Sequence, residues 1–314
     1  MKDIVLRSPS ANDLDKLKSL WNTVFGSVAM DAFFAELYNS EMCYAVFSEN
    51  ELCAMGYLVE AGELMHKGEA FKTAMIYSVA TASAFRGKGY AKAVVDELAA
   101  KAFSAGYPVV VLSPSEDSLF EFYEKKCGFS TRFYIYDYDY PKPVITAFSG
   151  EKGEQPTLSD SNIELKKISV EDYIKLRTSL LKEHTYIKLT ARIFEYQKQI
   201  CDEVGGGFYL FGDSCAIIEM QDDLSICVKE LLSPHDNNNA FISAIAEKYP
   251  SDIYTVRTPA SSGTTTTENT FIRNKHNPSV SIVKRRFGMI KTDKRSPPDI
   301  VSGEPLPWYG LALD

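Results

Sequence analysis

Apolar residues recur with a helical period over residues 89–103. They occupy one stripe with the spacing i, i+3, i+4, i+7, i+8 and i+11: Ala91, Val94, Val95, Leu98, Ala99 and Ala102. The stripe predicts an amphipathic helix. The continuous apolar run 109–112 that follows is typical of a strand buried on both faces. With a strand over 71–81 and a glycine-rich turn, these segments predict a βαβ unit whose two strands are parallel neighbours.

Shorter patterns predict the elements around this unit. Strands are expected over 43–47 and 52–59, and a second helix over 118–127 ends at Gly128, where a left-handed cap is favoured. Residues 133–140 alternate with period two, which places four tyrosines on one strand face. Cross-strand packing and ligand binding are both open for that face.

The two halves of the chain resemble each other weakly. Residues 4–17 align without gaps on residues 163–176, with six identical positions. Each copy has a short strand, a Ser-x-x-Asp helix start and an amphipathic helix. The stretch 148–160, rich in Gly, Pro and Glu, is typical of a linker. We therefore predict two related domains, 1–150 and 160–314.

In the second half, 208–219 and 225–232 predict a hairpin, followed by a helix over 240–248 and a strand over 253–257.

The candidate chemistry lies between the first strand and the helix of the βαβ unit. The loop has the pattern Arg86-x-x-Gly89-x-Ala91. Small residues let the backbone close around a ligand, and the free N–H groups of a helix N-terminus favour an anion, above all a pyrophosphate. Lys88 adds a positive charge. Lys92 stands where a dinucleotide fingerprint needs its third glycine, and no nucleotide-triphosphate loop motif occurs.

This loop resembles the acetyl-CoA pyrophosphate loop of the GNAT superfamily of N-acetyltransferases. Tyr123 followed by Gly128 and Phe129 resembles the superfamily's next motif, in the expected order. The resemblance covers about residues 3–145. It implies an α/β fold (α+β by some schemes), in which a twisted mixed sheet is flanked by helices and its two central strands splay apart.

The resemblance also implies a site for acetyl-CoA as co-substrate. The pantetheine arm would pair with the strand before the loop, and the loop amides would hold the pyrophosphate. The cofactor-binding residues implied in this way are Val79, Ala80, Thr81, Arg86, Gly87, Lys88, Gly89, Tyr90 and Ala91. Tyr123 falls where many members place the general acid beside the sulfur.

The sequence departs from the family pattern at two positions. Many members have Asn seven residues before the tyrosine, where this chain has Glu116, and some have Glu thirteen residues before the loop arginine, where it has Thr73. The general base is therefore unassigned. Water-mediated proton removal by Glu60, Glu63 or the terminal carboxylate of Asp314 is left open.

The second half has no Arg-x-x-Gly-x-Gly/Ala pattern; residues 233–239 stand where such a loop would follow its strand. A second GNAT-like α/β domain is predicted, with a degenerate cofactor site. The arrangement resembles GNAT proteins with a tandem fold, including the aminoglycoside-acetylating enhanced-intracellular-survival type. The acceptor pocket has no readable signature.

Composition narrows the function classes. The 314 residues include 34 Lys+Arg and 42 Asp+Glu, a net charge of −8, which disfavours sequence-independent nucleic-acid binding and suits a cationic substrate. Six scattered cysteines and four histidines form no zinc-type spacing. Asp3 and Arg7 interrupt the N-terminal segment, and no run approaches a membrane span. We therefore expect no metal, no membrane partner and a cytoplasmic location.

Together these observations predict an acetyl-CoA-dependent N-acetyltransferase for a small-molecule or peptide amine, with homo-oligomer formation left open. The alternative is a non-catalytic CoA- or peptide-binding regulatory protein of the same fold. Retention of the loop together with Tyr123 favours the enzyme. The unassigned base favours the alternative.

Overall fold

A computed structural model of the chain describes residues 4–142, 145, 164–222, 224–235, 238–259, 271–273, 280–296, 299–302 and 307–311. They divide into two compact units. Unit 1 comprises Met1–Phe133, His184–Ile200 and Phe287–Asp314, and unit 2 comprises Tyr134–Glu183 and Cys201–Arg286. The predicted linker lies outside the described residues. Two segments of the predicted second domain thus belong to unit 1, because their strands pair there.

Unit 1 is built on a mixed sheet with helices. Its strands are β1 (Ile4–Arg7), β2 (Cys43–Ser48), β3 (Glu51–His66), β4 (Glu69–Thr81), β5 (Val109–Leu112), β8 (Tyr186–Leu189) and the second half of β14 (Ser281–Thr292). They pair in the order β1-β2-β3-β4-β5-β14, with β8 beside β3. Its helices are α1 (Leu14–Phe25), α2 (Met30–Glu36), α3 (Tyr90–Ser104), α4 (Asp117–Cys127), most of α6 (Ala191–Val204) and the short α8 (Asp299–Ser302).

Unit 2 also contains a run of paired strands and a hydrophobic core. Its strands are most of β6 (Ser130–Pro141), β7 (Lys166–Lys167), β9 (Gly206–Phe211), β10 (Ser214–Asp222), β11 (Ser225–Leu232), β12 (Ile253–Thr258), β13 (Phe271–Arg273) and the first half of β14. Its helices are α5 (Val170–Leu180) and α7 (Asn239–Lys248). The strands pair in the order β6-β12-β11-β10-β9-β7. On β6, Tyr138 and Tyr140 lie opposite Val256 and Tyr254 and join this core, so that strand face is used in packing.

The pairing pattern of unit 1 recurs inside unit 2. In unit 1, β1–β2, β2–β3 and β3–β4 are antiparallel, and β4–α3–β5 closes a parallel pair. In unit 2, β7–β9, β9–β10 and β10–β11 are antiparallel, and β11–α7–β12 closes a parallel pair. Both predicted Ser-x-x-Asp helix starts are present: the Ser10 N–H donates to Asp13 (2.8 Å), and the Asp172 N–H donates to Ser169 (3.1 Å).

Most local predictions in unit 1 are confirmed. Strand β5 has the predicted bounds, α3 and α4 each begin within one residue of their predicted start, and Gly128 caps α4 with a φ of +70°. Strand β3 extends to His66, seven residues beyond its predicted end, because β8 pairs with its last part. Strand β8 and helix α6 were not predicted.

Helix α3 packs closely on the sheet because β3 has a glycine beneath it. The predicted stripe of α3 is buried at Val94, Val95, Leu98, Ala99 and Ala102. A Cβ on Gly56 would lie 2.8 Å from Val94 Cγ1 and 3.0 Å from Leu98 Cδ1. Both distances are shorter than normal carbon contacts, so the absence of a side chain sets how near the helix approaches.

Substituting Gly56 with alanine should therefore destabilise unit 1 by about 1–3 kcal/mol, the usual range for overpacking a dense core. Chemical denaturation of the full chain measures the change. A loss under about 0.5 kcal/mol would mean that the α3–β3 spacing adjusts freely.

Candidate active site

Strands β4 and β5 separate soon after they pair. Their parallel pairing covers Thr73, Ala74 and Met75 of β4 against Val109, Val110 and Val111 of β5. Strand β4 continues to Thr81, still paired with β3 on its other edge. Among the described residues, the edge of 76–81 that faces away from β3 has no strand partner. Backbone N–H and C=O groups on such an edge are available to a ligand.

A β-bulge lies within this stretch of β4. Ala80 pairs with Met55 and Tyr77 pairs with Tyr57, so Ser78 and Val79 together face the single residue Gly56. Ser78 has a φ of +49°, in the left-handed region that non-glycine residues seldom adopt. Strain of this kind costs about 1–3 kcal/mol and concentrates at functional sites.

The predicted phosphate loop follows β4 directly. The Ala82 N–H donates to the Cys53 carbonyl (2.9 Å), and one 3₁₀ turn, Ser83–Phe85, carries a buried Phe85 that anchors the loop. Beyond it, Arg86 to Gly89 are all exposed. The Arg86 Nε atom lies 3.4 Å from the Thr81 carbonyl oxygen, and the Lys88 Nζ atom lies 4.7 Å from the centroid of the Phe85 ring.

Two glycines in the loop adopt positive φ, +77° at Gly87 and +81° at Gly89. A Cβ on either would meet no protein atom within 4 Å. Backbone conformation, and not crowding by the protein, therefore requires glycine at both positions. A side chain there would project from the exposed surface on which the N–H groups lie.

The N-terminus of α3 presents free donors at this loop. The first hydrogen bond of the helix runs from the Ala93 N–H to the Gly89 carbonyl (3.1 Å). The N–H groups of residues 89–92 precede that bond and have no partner within the helix. The structure thus brings Arg86, Gly87, Lys88, Gly89, Tyr90 and Ala91 together at the end of β4, beside Val79, Ala80 and Thr81.

Tyr123 lies in the core between α3, α4 and the sheet. It is 7% exposed, and its ring contacts Phe122 and Phe129, with ring centroids at 5.1 and 6.3 Å. Burial raises the pKa of Tyr123 well above its usual value, and the nearby Cys127 adds to the effect. The phenol is therefore protonated at neutral pH. No other described residue makes a hydrogen bond to its hydroxyl group.

The candidate bases differ in their access to solvent. Glu60 and Glu63 line an open cavity of about 260 Å³, whose other lining residues are Gly62, Lys72, Lys188, Leu189 and Thr190. The Glu63 carboxylate lies 3.8 Å from the Lys188 ammonium group.

Thr73, one of the two departures from the family pattern, is fully buried. Its hydroxyl group donates a hydrogen bond to the Phe71 carbonyl and accepts one from the Leu64 N–H. Asp314 lies outside the described residues.

The other departure from the family pattern, Glu116, is the N-cap of α4. Its side chain accepts a hydrogen bond from the Ser118 hydroxyl (3.2 Å).

Sequence reasoning missed an aromatic cluster beside β4. Its rings are those of Trp21, Phe25, Phe33, Phe34, Tyr38, Tyr57, Tyr77 and Tyr196. The Tyr77 and Tyr196 hydroxyl oxygens are 3.1 Å apart. The density of aromatic residues over 21–38 could have indicated the cluster. Nothing local predicts that Tyr196, which is distant in sequence, completes it.

Comparison with known families assigns the first part of the chain. Residues 5–131 match the model of the acetyltransferase (GNAT) domain. The matching segment contains β1 to β5, the loop and α4. The resemblance to the GNAT superfamily drawn from the loop is thereby confirmed. No curated protein matches the sequence.

Solved structures share the fold. A GCN5-related N-acetyltransferase from Anabaena variabilis superposes with a TM-score of 0.68 at 15% identity, covering 92% of this chain and 73% of that one. A GCN5-related N-acetyltransferase from Kribbella flavida superposes with a TM-score of 0.63 at 14% identity, covering 93% of this chain and 71% of that one. Eis1 from Mycobacterium abscessus superposes with a TM-score of 0.61 at 12% identity, covering 92% of this chain and 73% of that one. The predicted fold, a mixed α/β sheet flanked by helices, is confirmed.

Within the described ranges, no three His, Cys, Asp or Glu side chains come together so as to hold a metal ion. No helix in the described part of the chain combines the length and the apolar character that a membrane span requires. The absence of a metal cofactor stays a prediction.

The burial of Tyr123 predicts a pH effect on stability. The unfolded chain releases the phenol proton near pH 10, whereas the folded state retains it to higher pH. The unfolded state then binds fewer protons, so stability falls as pH rises above about 10. At about pH 11 this single group accounts for a loss of about 1.4 kcal/mol. From about pH 9 to about pH 11, the free energy of unfolding should therefore fall by about 1.4 kcal/mol less in Tyr123→Phe than in the wild type. Equal losses in urea denaturation would show that the hydroxyl is open to solvent.

Proposed function

We propose that the protein is an acetyl-CoA-dependent N-acetyltransferase acting on a primary amine. The observation that carries the proposal is the separation of β4 from β5 next to the exposed helix N-terminus at Gly89. An extended ligand with an anionic end could lie along the free edge of β4 and place its anion at that terminus. Acetyl-CoA has this form, and when bound it supplies an acyl group activated as a thioester.

The loop suits the pyrophosphate of such a ligand chiefly through its backbone. A hydrogen bond to a charged group contributes about 1.5–3 kcal/mol, whereas the helix dipole contributes about 0.3–1 kcal/mol. The N–H groups at the start of α3 therefore matter more than the dipole. Arg86 and Lys88 are exposed, so their attraction for phosphate is screened by solvent and salt.

The free edge of β4 suits the amide groups of the pantetheine arm. An extended chain that carries amides can pair with an unpartnered strand edge, as an added strand does. Val79, Ala80 and Thr81 form the end of this edge, from the bulge to the loop. We assign them to this role, with one backbone N–H near Val79 facing the acyl oxygen.

Tyr123 is proposed to assist the departing thiolate as general acid, through a hydrogen bond from its hydroxyl group to the sulfur. Its raised pKa keeps the hydroxyl protonated, so a donor proton is always present. The amine that attacks must be uncharged, and Glu60 and Glu63 are proposed to take up its proton through water in the open cavity that they line.

Unit 2 is proposed to be a second GNAT-like domain without a cofactor loop. Its pairing pattern repeats that of unit 1, yet the connection from β11 to α7 lacks the Arg-x-x-Gly-x-Gly/Ala motif.

The six cysteines are buried and free, which suits a reducing compartment, so a cytoplasmic location is part of the proposal. The acceptor is a small-molecule or peptide amine, and no step requires nucleic acid or a membrane.

Replacing Gly89 with valine should weaken CoA binding at least tenfold, or about 1.4 kcal/mol. A branched side chain would strain the positive φ and project over the free N–H groups of α3. Isothermal titration calorimetry on the folded variant measures the effect. Gly68→Val is the matched control, because Gly68 has a φ of +82° and equally open surroundings in another loop. Unchanged CoA affinity in Gly89→Val would overturn the pyrophosphate assignment.

Removing the hydroxyl group of Tyr123 should lower kcat by roughly 10–100-fold, the low end for a positioned acid, because a thiolate is a tolerable leaving group. The affinity for acetyl-CoA should change little in Tyr123→Phe, since the ring still packs in the core. Thiol release under conditions where chemistry limits the rate measures kcat. Tyr140→Phe, at an equally buried tyrosine of unit 2, is the control.

A kcat within twofold of the wild type would assign Tyr123 to packing alone. Tight CoA binding by the wild type without turnover of any primary amine would instead support the regulatory alternative.

A further inference from the structure

The aromatic cluster occupies the face of β4 opposite α3. Leu58 and Ile76 are cross-strand partners, and both belong to the core that packs against α3. Tyr57 and Tyr77 are their neighbours in sequence and also form a pair. Because successive strand residues point to opposite faces, these tyrosines lie on the other face. Tyr77 stands between the end of the β4–β5 pairing and the bulge, within the segment proposed to accommodate the thioester.

A hydrogen-bonded pair of phenols lies at this position. The Tyr77 and Tyr196 oxygens are 3.1 Å apart; Tyr196 is fully buried, whereas Tyr77 is half-buried. A phenol oxygen both donates and accepts hydrogen bonds, so Tyr77 can accept an N–H group while it stays joined to Tyr196. The Tyr57 hydroxyl, in the same cluster, donates to the sulfur of Met55 (3.2 Å).

The cluster has a buried interior and an accessible rim. Trp21, Phe33, Tyr57 and Tyr196 are buried, and they fix the positions of the outer rings. Phe25 is 41% exposed, and Phe34, Tyr38 and Tyr77 are half-buried. A further aromatic ring placed against this rim would gain favourable ring contacts in addition to the area that it buries.

The charges around the rim disfavour a polycation. Asp31 lies 3.4 Å from Lys18, whose ammonium group is 5.3 Å from the centroid of the Phe34 ring. Glu36 accepts a hydrogen bond from Gln199 (2.8 Å). The Asp13 carboxylate contributes to raising the pKa of Tyr38. The Arg7 guanidinium group lies 2.8 Å from this carboxylate and lowers its pKa. Each of these carboxylates has a partner, and the Lys18 ammonium group already lies at the rim.

We propose that this face is the acceptor site and that its substrate is an arylalkyl primary amine. The ring of the amine packs against Phe34 and Tyr38, and Tyr77 accepts an N–H from its nitrogen. Tyr196 is a positioning residue, which acts by holding Tyr77. This proposal rests on the N-acetyltransferase function proposed above. The amine nitrogen bonds to the acyl carbon, the carbon–sulfur bond breaks, sulfur leaves with the electron pair, and the amine proton passes to water.

Calorimetric titration of the full chain with 2-phenylethylamine and with propylamine tests the site without requiring turnover. The aromatic probe should bind at least tenfold more tightly. Tyr77→Phe and Tyr196→Phe should each weaken its binding by about three- to tenfold. Tyr57→Phe, which removes a buried hydroxyl from the same cluster, should stay within twofold of the wild type. Circular dichroism and the melting temperature establish that each variant is folded.

Equal affinity for the two amines would overturn the arylalkyl assignment. If Tyr57→Phe weakened the binding of 2-phenylethylamine as much as Tyr77→Phe does, the phenol pair would contribute packing alone. Unchanged affinity in Tyr77→Phe would lead to the same conclusion. That variant decides the question even if Tyr196→Phe does not fold. In turnover assays, Tyr77→Phe should raise the KM for 2-phenylethylamine by a similar factor, with kcat changed less.

CoA titration separates this inference from the proposed function. Failure of the wild type to bind CoA would overturn the acetyltransferase proposal, even if the aromatic amine binds. Turnover of other amines with no binding of 2-phenylethylamine would overturn the acceptor assignment alone.

Discussion

The separation of β4 from β5 after three residue pairs is the constraint on which the rest of the site depends. Had the two strands stayed paired as far as Thr81, the backbone groups of 76–81 would be used within the sheet. Strand β3 keeps β4 extended on one side, and beyond the short β5 no strand in the described part of the chain pairs with its other side. The bulge at Ser78 falls inside the open stretch, so the local twist of β4 changes where a ligand could pair with it.

Unit 1 requires segments that are remote in sequence. Strand β14 pairs with β5 from Met289 to Thr292, β8 pairs with β3, and α6 supplies Tyr196. A chain ending near residue 148 would lack all three. It would expose the far edge of β5, a strand of four fully buried residues, and it would remove the phenol that contacts Tyr77. The segment 5–131 that matches the GNAT domain model is therefore only part of the compact unit that carries the candidate site.

Local physics accounts for what the sequence allowed us to predict. The stripe of α3, the all-apolar β5 and the caps at Ser10, Ser169 and Gly128 depend on neighbours within a few residues, so their patterns are visible in the chain. The position of the loop between β4 and α3 was predicted for the same reason. Strand β8 pairs with β3, β14 pairs with β5, and α6 contacts Tyr77. These partners are more than a hundred residues apart in sequence, so no local periodicity predicts them. The bulge escaped prediction because a serine with positive φ has no compositional signature.

Two tyrosines on opposite faces of one sheet give the proposed reaction its geometry. Tyr123 belongs to the core on the α3 face, and Tyr77 belongs to the aromatic cluster on the other face. An acyl group in the gap beyond Met75 would be accessible from both faces, so the amine and the departing sulfur need not compete for space. Burial raises the pKa of Tyr123 far above that of a thiol near 8.5, so complete proton transfer to a thiolate is unfavourable. Tyr123 would therefore act mainly by donating a hydrogen bond as charge develops on sulfur, and solvent would supply the proton.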